Sequence, residues 1–327
     1  MSPNFKCILL LLLACVEASI EAAPAADRKP QIPAPKPVPR MQATPLPDFQ
    51  MALERDGMEI ARMYFNPASN RPFVFPLIGP SGRPVTRMGH PHDPSGHSHH
   101  NSVWISHEDV NGVSFWNDKG DGRIIHKKVD WIEDTDTDTA VMTISDWTTR
   151  AGEVLIQERR VTTARALTGK EWILVIDLRL EARADEVTFG KSAFGLLGVR
   201  MAKTIGVKDG GGTVTSSEGG INEKGTFWKP ARWIDYSGPV TTGVIEGITL
   251  MDHPSNSNHP SVFHIRDDGW MGSSFTFDGP RILKKGEAIQ LRYGLFVHSG
   301  GGKAKSIEPL YRLFASSPLP DLTVVKK

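Results

Sequence analysis

Apolar side chains recur at every second position along much of this chain, and this period of two constrains the fold more than any other feature of the sequence. In the stretch 171–183, alternate residues from 172 to 180 are apolar, while the opposite face carries Asp177 and Arg179. Residues 289–298 repeat the pattern. An apolar face opposite a solvent-facing one is typical of antiparallel sheets, because parallel strands are usually covered on both sides.

Turn signals separate these runs, and helical periodicity is scarce. Asp56–Gly57 and Asn111–Gly112 are dipeptides typical of tight hairpin turns. One helix is predicted near the C-terminus, where four apolar residues would share a face: Ile307, Leu310, Tyr311 and Phe314. Many strands with at most one or two short helices predict an all-β fold, an antiparallel β-sandwich.

The N-terminal residues have the pattern of an export signal. Lys6 precedes a short apolar run, and small residues follow it. Residues 23–47 contain eight of the chain's 24 prolines, a composition that favours an extended tether. We therefore predict a signal peptide over residues 1–22, a Pro/Ala-rich linker over 23–47 and a single β-sandwich domain over 48–327, in a secreted or periplasmic protein.

An alternative for the leader is lipoprotein export. Residues 12–15 resemble a lipobox, which would place a lipid anchor on Cys15. Both cysteines, Cys7 and Cys15, lie in the predicted leader, so the predicted mature chain has no thiol for a disulfide, a metal or a nucleophile. No later apolar stretch approaches a membrane span. A net charge of +1 without a long basic run argues against a nucleic-acid partner.

A cluster of histidines is the strongest chemical signal. Six of the eleven histidines lie between positions 90 and 107: His90, His92, His97, His99, His100 and His107. If the chain is extended here, His97 and His99 share one face and His100 points to the other. Such a pair could share zinc or copper with a later ligand. The same histidines could act as acids or bases near neutral pH, or lie solvated in a surface loop.

Three further polar segments and several tryptophans could contribute to a site. Asp252–Asn256 contains His253 at the end of a predicted strand, and the next segment contains His264 and Arg266. Glu218 lies in a polar, Gly-flanked turn. Four tryptophans lie beside these polar segments, where indole faces could stack on sugar rings: Trp104, Trp116, Trp233 and Trp270.

Several motifs in the same order resemble one secreted bacterial family. They are 71–77 (RPFVFPL), 84–87 (PVTR), 97–100 (HSHH), 109–116 (DVNGVSFW), 195–200 (GLLGVR), 217–219 (SEG), 233–239 (WIDYSGP), 252–256 (DHPSN) and 263–266 (FHIR). The family carries the label methane oxygenase PmoA, and the likeness spans roughly residues 50–300. The family pattern His-Pro-His-His-Arg-Gly differs at the end, where this chain has Asn101 and Ser102.

The resemblance implies a β-sandwich of the galactose-mutarotase-like supersandwich type, in bacteria that degrade carbohydrates. Our leading hypothesis is a carbohydrate-active enzyme of the epimerase, lyase or hydrolase kind. His99 or His253 would be the base, Glu218 its partner, and His264 a further catalytic residue. Four residues would bind the sugar: Asn111, Trp116, Trp233 and Arg266. The alternatives are a non-catalytic glycan-binding protein and a metal-dependent oxygenase or hydrolase that uses His97 and His99.

Overall fold

The period of two in the sequence corresponds to nineteen β-strands within residues 37–324, the part of the chain that this computed structural model describes. The strands are β1 (Met41–Leu46), β2 (Gln50–Arg55), β3 (Met58–Tyr64), β4 (Phe73–Leu77), β5 (Val103–Ile105), β6 (Arg123–Asp134), β7 (Asp138–Thr148), β8 (Val154–Ala166), β9 (Trp172–Ala182), β10 (Glu186–Phe189), β11 (Leu196–Arg200), β12 (Thr213–Ser216), β13 (Lys229–Pro230), β14 (Trp233–Thr241), β15 (Val244–Asp252), β16 (Val262–Arg266), β17 (Trp270–Ser274), β18 (Arg281–Lys284) and β19 (Ala288–Ser299).

Two large antiparallel sheets contain most of these strands. One has nine strands in the order β1-β2-β3-β4-β5-β11-β17-β16-β13, and the other has eight in the order β12-β14-β15-β19-β9-β8-β7-β6. Strands β10 and β18 form a separate pair. The sheets pack through one hydrophobic cluster, to which Leu197 and Ile265 contribute from the first sheet and Leu174 and Leu295 from the second. The predicted antiparallel β-sandwich is confirmed.

The helices are few: α1 (Val207–Gly210), α2 (Asn222–Thr226) and α3 (Ala304–Ser316), with a 3-10 turn at Lys203–Ile205. The predicted C-terminal helix is α3, and Ile307, Tyr311 and Phe314 are buried on its inner face. Helices α1 and α2 are single turns that the pattern of apolar residues did not indicate.

One face of β9 and β19 was expected to be in contact with solvent, and the structure corrects this. Asp177 and Arg292 are cross-strand neighbours whose side chains pair at 2.7 Å, and both are buried. The Arg292 guanidinium also donates hydrogen bonds to Ser317, just after α3. The C-terminal segment therefore covers this face, which alternation within a single strand could not reveal.

The folded region begins earlier than the predicted boundary at residue 48. Strand β1 occupies 41–46, inside the predicted linker, because Met41 and Ala43 alternate inward and are buried. It lies at the edge of the nine-stranded sheet, where a proline such as Pro45 removes no hydrogen bond that the sheet needs. The backbone N–H of Met41 donates to Thr135, so β1 also contacts the β6–β7 turn.

The predicted leader, the lipid site at Cys15 and most of the predicted linker lie outside the described residues. In residues 37–324, no helix has both the length and the apolar character needed to cross a membrane.

Removal of β1 should destabilise the protein. We expect a chain that starts at Asp48 to unfold at lower urea than one that starts at Pro39, because burial of Met41 alone contributes about 1.5–3 kcal/mol. Urea titrations followed by circular dichroism measure the difference. Equal unfolding midpoints for the two chains would contradict the placement of β1 in the fold.

Candidate functional site

The register of three neighbouring strands builds a site on the outer face of the nine-stranded sheet. Arg200 on β11, Trp270 on β17 and Arg266 on β16 lie side by side. Gly198, Gly272 and His264 form the adjacent row. The alternate residues of these strands, such as Val199 and Met271, belong to the core on the opposite face. The side chains of the two rows, those of Arg200, Trp270, Arg266 and His264, therefore project away from the core.

Glycines in the second row make room for two tryptophans. A Cβ at Gly198 would lie 2.8 Å from the rings of both Trp104 and Trp270, and one at Gly272 would lie 2.6 Å from Trp270. The His100 ring stacks on both indoles, with centroid distances of 5.4 Å to Trp104 and 5.1 Å to Trp270. The floor of the site is therefore two glycines, two indoles and an imidazole in successive layers.

A cleft of about 480 Å³ opens above this floor. We call it the His-rich cleft. Five histidines line it: His90, His97, His99, His100 and His264. The other lining residues are Glu108, Trp116, Asn117, Phe194, Arg200, Arg266, Asp268 and Trp270.

The histidine segment is a turn, not the extended strand that the sequence analysis considered. The His97 N–H donates to the Asp93 carbonyl, and the His100 N–H donates to the His97 carbonyl. A turn brings His97, His99 and His100 to one side, where an extended chain would separate them. Ring centroids are 5.7 Å apart for His97 and His99 and 4.6 Å apart for His99 and His100.

A buried arginine holds this turn against a second loop. The Arg71 side chain is fully buried, and its guanidinium donates to the backbone carbonyls of His99 (3.1 Å) and Trp116 (2.7 Å). It also donates to the Asn101 side chain at 2.8 Å. Burial lowers the pKa of Arg71 to about 10, which still leaves it charged at neutral pH. Arg71 therefore fixes two walls of the cleft relative to each other.

A second buried arginine orients His90. Arg200 donates to one oxygen of Asp268 at 2.8 Å, and His90 Nε2 lies 2.8 Å from the other oxygen. His90 Nδ1 accepts the backbone N–H groups of His92 and Asp93, so Nε2 is the nitrogen that carries the proton. Burial opposes ionisation of Asp268, but Arg200 and His90 outweigh it and lower the pKa of this carboxyl.

His97 belongs to a carboxylate–imidazole pair. Its Nδ1 lies 2.8 Å from an Asp93 oxygen, and the other Asp93 oxygen accepts the Gly96 N–H at 2.8 Å. The Gly96 hydrogen bond and His97 lower the pKa of Asp93, which keeps the carboxylate ionised. Because an ionised carboxylate can only accept, His97 Nδ1 carries the proton of this hydrogen bond and Nε2 is the nitrogen left for a ligand.

Burial keeps four histidines of the cleft neutral. It lowers the pKa of His99 to about 4, helped by the Arg71 charge, and that of His264 to about 4, helped by Arg266. Burial likewise lowers the pKa of His100 and of His90. At neutral pH these rings are therefore hydrogen-bonding groups without charge.

Of the predicted site residues, the structure brings together His97, His99, His264, Trp116 and Arg266. Sequence reasoning missed Glu108, Asn117, Phe194, Arg200 and Asp268 as site residues. Arg200 had a detectable signal, since a charge that ends the apolar run 196–199 must find a buried partner.

Four other predicted site residues lie elsewhere, which corrects their assignment. Glu218 lines a different cavity and contacts Arg232, so the predicted pairing with His99 is not formed. His253 packs on Phe314 of α3. Trp233 is buried in the cluster beneath α3, and Asn111 bonds to Glu186 and Thr188 in a turn.

The predicted zinc or copper site gains no support from this geometry. Within residues 37–324, no group of three or more His, Cys, Asp or Glu side chains is arranged to hold a metal ion. In the described part of the chain, the pair His97 and His99 has no third ligand arranged beside it. We therefore derive no chemistry through a metal.

The glycine floor can be tested by adding one methyl group. Gly198→Ala should lower the free energy of unfolding by about 1–3 kcal/mol, because the stacked indoles leave no room for a Cβ. Gly279→Ala is the matched control, since its Cβ would meet nothing within 4 Å. Urea titrations compare the two variants, and equal effects would show that the indoles are not packed as described.

The lowered pKa values predict sensitivity to acid. Between pH 6.5 and about 4 the unfolded chain binds protons at His99 and His264 that the folded chain does not bind, so stability falls as the pH falls through this window. Urea midpoints at pH 7, 5.5 and 4.5 measure the fall, and His264→Gln should reduce it. Imidazole NMR signals from His99 or His264 that titrate near pH 6.5 would contradict this expectation.

Comparisons with known proteins show to which family the chain belongs. No curated protein matches the chain. Among solved structures, the crystal structure of the GalM/aldose epimerase homologue from C. elegans matches with a TM-score of 0.33 and 7% identity, covering 80% of this chain and 99% of that chain. A family model described as "Family of unknown function (DUF6807)" matches residues 50–312. That description names no activity, so the oxygenase label stays a prediction. The match covers most of the sandwich and the whole His-rich cleft, and the chain therefore belongs to the DUF6807 family.

Proposed function

We propose that this protein binds a sugar or sugar derivative in the His-rich cleft and performs acid/base chemistry on it. The observation that carries the proposal is the Asp93–His97 pair, whose imidazole lines a cleft that also has aromatic side chains in its lining. A carboxylate that orients a histidine is a recurrent arrangement for general bases.

The lining suits a sugar ring. Phe194 is only partly buried, and its ring, 5.8 Å from that of Trp116, provides aromatic surface for the apolar face of a pyranose or furanose. Arg266 and Asn117 provide donors for hydroxyl groups, and Glu108 provides an acceptor. Most of the lining is polar, and hydrogen-bonding groups that converge beside aromatic rings suit a ligand that carries many hydroxyl groups.

The base assignment changes from the one that the sequence suggested. His97, with Nδ1 directed to Asp93, would accept a proton at Nε2 from a sugar hydroxyl or an acidic C–H group. His99 and His264 are neutral at pH 7 and would hydrogen-bond to the substrate. Glu108, held by Ser192 at 2.7 Å, replaces Glu218 as the carboxyl group of the site. Epimerase, lyase and hydrolase reactions all need such proton transfers.

Two further parts of the proposal come from the sequence. Residues 1–22, as a signal peptide, would place the activity outside the cytoplasm. A non-catalytic glycan-binding protein would use the same cleft, so binding and turnover must be measured separately.

His97→Gln should abolish turnover and leave sugar binding within about threefold, because glutamine keeps hydrogen-bonding capacity but cannot act as a base at neutral pH. Binding is measured by saturation-transfer NMR against a panel of aldoses, uronic acids and disaccharides. Turnover is followed by proton NMR in D2O, where solvent deuterium incorporation or new product signals report proton transfer.

The control is His92→Gln. His92 also contacts an aspartate, Asp209, at 2.7 Å, but it does not line the cleft, so this variant should keep full turnover. Sugar binding without turnover in the unaltered protein would select the glycan-binding alternative. No sugar binding at all would refute the proposal.

A further inference from the structure

An exposed tryptophan lies next to the His-rich cleft. Trp228 is 47% exposed, and its ring neighbours Phe227 and Phe277 are only partly buried. Its ring stacks on Phe227, with centroids 4.4 Å apart, and lies 5.8 Å from Phe277. We call these three rings the aromatic ledge.

The ledge is continuous with the cleft through His264. The His264 ring lies 5.2 Å from Phe227 and 6.2 Å from Trp228 on one side, and 5.2 Å from Phe194, a cleft residue, on the other. A ligand that fills the cleft and continues past His264 would therefore reach the exposed ring of Trp228.

The backbone holds the Trp228 ring in this position. Trp228 has φ = 52°, which is rare for a bulky residue without a structural constraint. Its N–H donates to the Phe263 carbonyl at 2.9 Å. The preceding helix α2 is fixed by Glu223, whose N–H donates to Asp267 and whose carboxylate accepts the Asp267 N–H. Local strain that the surroundings maintain is common at ligand sites.

A polar group lies beside the aromatic surface. The Arg266 guanidinium sits over the Phe227 ring at 5.5 Å, pairs with Glu223 at 3.0 Å and also lines the cleft. Its side chain is half exposed. Ring hydroxyls of a sugar on the ledge would therefore find donors and a carboxylate within the same surface.

We propose that the aromatic ledge is a second sugar subsite, so that the ligand of this protein is a glycan of at least two rings. The first ring occupies the His-rich cleft, and the apolar face of the next ring stacks on Trp228. This inference rests on the proposed function and extends it, because it gives the minimum size of the ligand and the side of the cleft from which it extends.

Calorimetric titrations with matched monosaccharide and disaccharide probes test the subsite. The pairs are glucose with cellobiose, galactose with lactose, and xylose with xylobiose. For at least one pair, the unaltered protein should bind the disaccharide about tenfold more tightly than the monosaccharide. This ratio corresponds to about 1.4 kcal/mol of binding free energy. Trp228→Ala and Trp228→Gly should remove this advantage and leave monosaccharide affinity unchanged.

The two variants and one control separate the ring from the backbone. Glycine adopts positive φ without strain, so Trp228→Gly remains a test if Trp228→Ala folds poorly. Ile282→Ala removes another exposed hydrophobic side chain, 56% exposed on β18 and outside the cleft, and should change nothing. A ligand on the ledge should also protect tryptophan fluorescence from acrylamide quenching in the unaltered protein.

The experiment distinguishes failure of the second subsite from failure of the proposed function. If the unaltered protein binds monosaccharides but prefers no disaccharide, or if both Trp228 variants keep the preference, the subsite is refuted and the proposed function stands. If the unaltered protein binds neither class of probe, the proposed function and the subsite fall together.

Discussion

Antiparallel pairing of β11, β17 and β16 in a fixed register determines which side chains meet above the nine-stranded sheet. A shift of one residue in any of these strands would exchange its core and outer faces. Gly198 would then no longer face Gly272, and the indole of Trp270 would lose its place on the floor. The aromatic floor, the Arg200–Asp268 pair and the position of His264 all depend on this register.

Loops complete the cleft, and a buried charge determines how they meet. Arg71 brings together a turn that carries histidines and a loop that carries Trp116. Asn101 accepts a hydrogen bond from Arg71 at 2.8 Å, and Ser102 has φ = 64°, in the left-handed region that favours glycine. The Ser102 hydroxyl donates to the Thr86 hydroxyl at 2.8 Å, and this buried hydrogen bond helps to hold the backbone in that conformation.

The sequence predicted the strands and turns that depend on local patterns of residues. Alternation identified strands such as β9 and β19, and the dipeptide Asp56–Gly57 does form a turn in which both residues have positive φ. The sequence located the histidine segment but did not predict its turn, because the turn depends on Asp93 and on the indoles beneath it. Which strand ends share one surface depends on sheet order, and for that reason Glu218 was assigned to the wrong surface.

The edge strand β1 has a consequence for behaviour at high concentration. Alternate N–H groups of a strand point the same way, and those of Met41 and Ala43 already donate to the β6–β7 turn. The next in this row is Pro45, which has no N–H. At the other edge, β13 is two residues long and ends at Pro230. Within residues 37–324, neither edge presents a free row of donors to a strand of another molecule, so the nine-stranded sheet is protected against edge-to-edge polymerisation.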